Sequence, residues 1–146
     1  MNRKHSRLVA LILLLALAPL SVDAQVASIT VRWTAPGDDG YIGTAASYDI
    51  RWANAPPDTS NATAFATWFT SATPVPNPPA PLLAGTVQAV VVSPVGGFPL
   101  GRTYYFVIRT RDDAGNLSPL SNVAMKVIPL PPDTAPPGRV FDFRCD

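Results

Sequence analysis

Three runs of this chain alternate apolar and polar residues, and each is stopped by a cluster of proline, glycine or aspartate. In Ala27 to Thr34, Ile29, Val31 and Trp33 share one face, and Thr30 and Arg32 the other. In Ser47 to Ala53, Tyr48, Ile50 and Trp52 oppose Asp49 and Arg51. In Thr103 to Arg111, Tyr104, Phe106 and Ile108 point one way. A period of two over six to nine residues is the signature of half-buried strands. Gly85 to Ser93 and Asn122 to Ile128 read as two further strands. Turns fall at Ala35 to Gly40, at Gly96 to Gly101, and at Asp112 to Asn116. The 17 prolines among 146 residues exclude a mostly helical chain. Short strands at this spacing, with no long helix, predict an all-β antiparallel sandwich.

Not all of the chain belongs to that sandwich. Arg3, Lys4 and Arg7 precede an apolar run from Leu8 to Leu20, and Val22 and Ala24 sit at −3 and −1 of a small-residue cleavage site. Residues 1–24 are expected to be a secretory signal peptide, because the apolar run is too short to span a bilayer. Localisation is therefore expected to be secreted and extracellular, or periplasmic or at the cell surface, with no membrane association after cleavage. Residues 25–128 form the expected sandwich. Residues 129–146 form a proline-rich linker and an apolar tail.

The composition left after cleavage narrows function. Residues 25–146 hold eight Arg or Lys against nine Asp, with no His and no Glu. A charge of −1 gives no basic surplus for nucleic acid or an anionic lipid surface. A Ser–His–Asp or Cys–His arrangement cannot be assembled, nor can a His/Cys zinc site. The chain is therefore expected to be non-catalytic and to carry no cofactor. Asp38, Asp39, Asp112 and Asp113 are weak candidates for a calcium site, since clustered carboxylates in loops suit hard cations. The same clusters serve ordinary turns.

Taken together, Val31-Arg32-Trp33-Thr34-Ala35-Pro36-Gly37-Asp38-Asp39-Gly40, Tyr48-Asp49-Ile50-Arg51-Trp52, and Gly101-Arg102-Thr103-Tyr104-Tyr105-Phe106 running on to Asp113-Ala114-Gly115-Asn116-Leu117-Ser118 resemble a fibronectin type III domain of the bacterial secreted type, over about residues 27–128. The resemblance implies an immunoglobulin-like sandwich. It makes Trp33 the core tryptophan of the second strand, and Tyr104 the corner tyrosine whose hydroxyl bonds backbone just upstream. Tyr48, Ile50, Trp52, Phe106 and Ile108 would complete the core. It implies an extracellular protein or polysaccharide as partner and no shared catalytic site.

Two departures from that pattern bear on function. The connection from residue 54 to 84 is long, holds seven prolines, and has room for a helical turn over Thr59 to Thr70 with Thr59 or Ser60 as N-cap. Its Trp68 and Phe69, and Tyr41 nearer the front, are candidate binding aromatics; alternatively Trp68 and Phe69 close the open side of the sandwich. The second departure is that the family's first strand is missing or supplied by the C-terminal tail, since only Gln25 and Val26 separate the cleavage site from the first alternating run. Val140, Phe141 and Phe143 in the tail resemble the first strand of a following domain. The tail therefore reads as a self-complementing strand, as a strand donated to a neighbour in a self-assembling surface subunit, as the start of a further domain of a larger secreted protein or enzyme, or as a loose end. Cys145, the single cysteine, lies within it. N-terminal sequencing of the exported protein is expected to begin at Gln25; an intact Met1 would refute the cleavage site.

Overall fold

The computed structural model describes residues 27–141 and 143–145; the expected signal peptide lies outside them. Six strands and one helix follow one another as β1 (Ile29–Thr34), β2 (Ser47–Ala53), α1 (Ala62–Ser71), β3 (Thr73–Pro74), β4 (Val87–Val92), β5 (Arg102–Arg111) and β6 (Ala124–Ile128). They make two antiparallel sheets of unequal size. One is β1-β4, the other β3-β2-β5-β6. In the first, Ile29 faces Val92 and Thr34 faces Val87; in the second, Ile50 faces Ile108 and Trp52 faces Phe106. The mainly β sandwich expected from alternation is what forms, with one short helix inside the long connection.

The core lies between the sheets, where the alternating residues meet. Ile29, Tyr48, Ile50, Val92, Tyr104, Phe106 and Ile128 are buried there. At its lower pole stands Phe98, from a glycine-flanked loop that the sequence marks only as a turn. Its ring packs against Tyr104 at 4.5 Å, Trp52 at 4.8 Å and Phe106 at 6.2 Å between centroids. Gly96 and Gly97 take positive φ values of 79° and 71°, which turn the chain back so that this ring enters the core. Ala27 bridges to Phe98, and the Gly101 amide donates to the Ile128 carbonyl at 2.7 Å. The start of β1 and the end of β6 therefore share this pole. The Tyr104 hydroxyl donates to the Pro99 carbonyl at 3.1 Å and pins the entry to β5.

The long connection does two separate jobs. Its helix is capped by Asn61, whose side chain accepts from the Ala64 amide at 3.0 Å. Thr59 and Ser60 do not cap it: Ser60 donates instead, through its amide and hydroxyl, to Asp58. The stretch after the helix closes the side of the sandwich next to β4. Val75 is buried in the core and its amide donates to the Ile50 carbonyl at 2.8 Å. Gln88, a polar residue buried within β4, holds that closure. Its carbonyl oxygen accepts from the Tyr48 hydroxyl at 2.7 Å and the Leu82 amide at 3.0 Å; its amide donates to the Ala80 carbonyl at 2.9 Å.

Replacing Gln88 by Leu leaves those three partners without their bonds. Gln88→Leu is expected to lower unfolding free energy by about 1–3 kcal/mol in urea titration, and Tyr48→Phe in the same background to add less than it does alone. Strict additivity of the two would show that the bond does not couple β4 to β2.

Candidate functional site

The side next to β1 is not closed. Among the described residues β1 pairs with β4 alone. The Ala35 amide donates to Thr86 and its carbonyl accepts from Gly85, so this residue's backbone points to the β4 side. By the two-residue alternation of a strand, the backbone groups of Thr30, Arg32 and Thr34 point away from β4, to the free edge. Beneath that edge runs an open groove of about 500 Å³ between the two sheets. Val31 and Trp33 from β1 form one wall, and Ile50, Phe106 and Ile108 form the floor. Trp33, expected as the core tryptophan, is only half-buried here; its ring meets Tyr48 edge-on at 5.2 Å and its indole N–H is buried without an acceptor.

The opposite wall is built by Ser118 to Ala124. β6 pairs with β5 only as far as Phe106 opposite Ala124. Above that point two serines take over. The Ser118 hydroxyl accepts from the Thr110 amide at 3.0 Å and that of Ser121 from the Ile108 amide at 3.1 Å, while their own amides donate to the Thr110 and Ile108 carbonyls. The strand's polar groups are satisfied without a continuous partner strand. Sequence reading missed both serines; their placing on either side of Pro119, which cannot donate to a ladder, is the available signal.

The upper rim is the loop from Pro36 to Ile42. The Gly37 amide donates to the Gly40 carbonyl and the Asp38 amide to that of Ile42. A side chain on Gly37 would collide with the Ile42 backbone. Asp38 accepts from the Asp113 amide at 3.2 Å, which ties the rim to the turn at Asp112 to Asn116. On this loop stands Tyr41, 91% exposed, at the mouth of the groove.

Of the aromatics singled out for binding, Tyr41 alone lies at this site. Trp68 and Phe69 sit on α1, which packs on the outer face of the four-stranded sheet. Phe69 is 1% exposed and lies between two guanidinium groups, with Arg51 at 5.1 Å and Arg109 at 4.9 Å from its ring centroid. Arg51 also donates to the Thr70 carbonyl at 2.9 Å, and Trp68 donates to Ala55 at 2.8 Å. Phe69 is thus no surface for a partner, and neither ring closes the open side: the chain leaves the helix on the other face. The cations hold the helix down through aromatic contact and carbonyl bonding.

The acidic residues serve turns. Asp112 accepts from the Asn116 amide at 2.6 Å and side chain at 2.8 Å, with the Asn116 side chain the larger influence in lowering its pKa below the ordinary carboxylate value. Asp58 is lowered chiefly by the Ser60 hydroxyl. Asp38 is engaged as above, and Asp39 joins Ile42 through backbone. Among the described residues no group of three or more His, Cys, Asp or Glu is placed to hold a metal ion. The tail takes no place beside β1. Its described residues form no strand, and Phe141 and Phe143 are 87% and 92% exposed, as Val140 and Cys145 also are exposed. No protein-family model matches this chain, and a search of curated proteins gives no match.

A carboxyl whose folded pKa is depressed stabilises the fold above its unfolded pKa and loses that contribution as pH falls through the folded value. The turn that anchors the rim is therefore expected to loosen below about pH 4. Relative to the intrinsic rate, amide exchange at Gly115 and Asn116 should accelerate on acidification, and Asp112→Ala should leave both amides unprotected at every pH. Exchange in the native protein that ignores pH across that window, beyond the intrinsic rate, would remove Asp112 from this role.

Proposed function

We propose that this chain is a secreted, non-catalytic binding module of the fibronectin type III kind, and that it takes up an extended polypeptide segment along the open side of β1. The observation that carries this reading is the free β1 edge standing over a groove with an apolar floor. An unpaired edge offers N–H and C=O groups at strand spacing, which a polypeptide backbone matches and a sugar chain does not. The floor below it offers sites for alternate side chains, and Tyr41 supplies an aromatic contact at the mouth.

The fold assignment has its own support. In a sandwich of this family, β1 and β4 correspond to the second and fifth strands, and β3-β2-β5-β6 to the facing sheet. The Tyr104 hydroxyl bond to Pro99 matches the corner tyrosine. The first strand of the family would lie beside β1, where the groove is open. Secretion rests on the basic and apolar pattern of residues 1–24, and the non-catalytic reading on a mature inventory without His or Glu.

Panning the protein against displayed random peptides is the test. It is expected to enrich segments with apolar residues at every second position, bound by the native protein and not by Arg32→Pro. Proline at position 32 removes an edge N–H and leaves the ladder to β4 intact. Binding that survives Arg32→Pro, or enrichment without alternation, would place recognition away from this edge.

A further inference from the structure

The occupant of the groove can be named more closely, on the strength of the reading just given. We propose that it is residues 139–145 of a second copy of this chain, laid antiparallel to β1, so that copies join head to tail. Three observations point to it.

The first is the pattern of the tail. In an extended strand Phe141, Phe143 and Cys145 fall on one face, and Val140 and Arg144 on the other. Both rings stand almost fully in solvent in the single chain, with the Arg139 guanidinium 5.5 Å from the Phe141 centroid. The groove presents the complementary deficit: Val31, Trp33 and Ile108 face inward yet stay half-buried. Two phenyl rings lowered onto that floor would remove apolar area from water on both partners.

The second is length. Seven extended residues span about 23 Å and the six of β1 about 20 Å, so the segment covers the edge from end to end. Between it and β6 lie residues 129–138, with five prolines. In the extended conformation that such a stretch favours, it reaches about 31 Å, which carries the segment clear of its own sandwich.

The third is direction. β6 ends at the pole where β1 begins. A tail returning directly to its own sandwich would enter beside β1 in the parallel sense. A tail from another molecule approaches from either pole and can take the antiparallel sense of the four strand pairings within the sandwich. The contact joins different surfaces of the two copies, so it extends into chains and does not stop at a closed dimer.

Sedimentation of the full mature chain from micromolar to millimolar concentration, with reductant present so that Cys145 cannot cross-link, tests this. Weight-average mass is expected to rise past that of a dimer. The pair Phe141→Asp with Phe143→Asp should stay monomeric with an unchanged melting temperature, since both rings are exposed in the single chain. Arg32→Pro should also stay monomeric. Mixed one to one, these two variants should give a dimer and nothing larger, because one supplies only a tail and the other only an edge. A native protein that is monomeric throughout overturns the proposal, as does assembly that survives the double tail substitution. So does a lowered melting temperature of the tail variant at concentrations where the native chain is monomeric, which would mark self-complementation. If the native chain is monomeric but still binds enriched peptides in a manner sensitive to Arg32→Pro, the copy is the wrong occupant and the edge remains a polypeptide site.

Discussion

A sheet of two strands cannot cover a sheet of four. The inner face of β3-β2-β5-β6 is broad and apolar, and β1-β4 shields only its middle. Everything else in the molecule answers that inequality. Each exposed flank of the larger sheet must be covered by some other segment or remain open, because apolar surface left in water costs roughly 25 cal/mol per Å². The two flanks receive opposite treatments. On the β4 side, Val75 enters the core and Gln88 clasps the backbone at 80 and 82. On the β1 side, loops meet only at the rim.

The polar residues decide where closure happens. Gln88 sits among valines, and an amide in that position would be costly without partners. It has three, the Tyr48 hydroxyl on β2 and the backbone of Ala80 and Leu82 in the segment it holds. Ser118 and Ser121 act the other way. By giving the Thr110 and Ile108 amides hydroxyl acceptors, they let the chain line β5 here without a regular ladder. A continuous β6 would bring its own side chains over the groove. The serine wall of the opening is thus built from satisfied hydrogen bonds.

Much of this was legible in the sequence, and the exceptions have physical reasons. β1, β2 and β5 announce themselves because one face of each is buried and the other wet, so a period of two is written into them. Phe98 does not, because its neighbours are glycines and proline and no period surrounds it; its burial depends on a turn whose direction only the fold determines. The N-cap was misread because Thr59, Ser60 and Asn61 all suit that position, and Asp58 competes for Ser60. Trp68 and Phe69 were correctly read as part of a helical turn, but a ten-residue helix does not say which wall it will cover. Arg51 and Arg109, on the outward positions of two strands, turn out to choose it. Of the residues around the groove, Tyr41 was singled out, as an aromatic between glycines. The serine wall was not.

One geometric feature reaches beyond binding. Ala27 and Ile128 emerge at the same pole of the sandwich, joined through Phe98 and Gly101. A domain whose ends leave at opposite poles adds its own length to the polypeptide and transmits tension along its strands. Here tension through the two ends would act across one pole, drawing a strand of one sheet away from a strand of the other. Hydrogen bonds loaded in that way open one after another and resist little. Held by its two ends, a sandwich of this shape is a pendant and a poor strut: it adds little length before its strands begin to part.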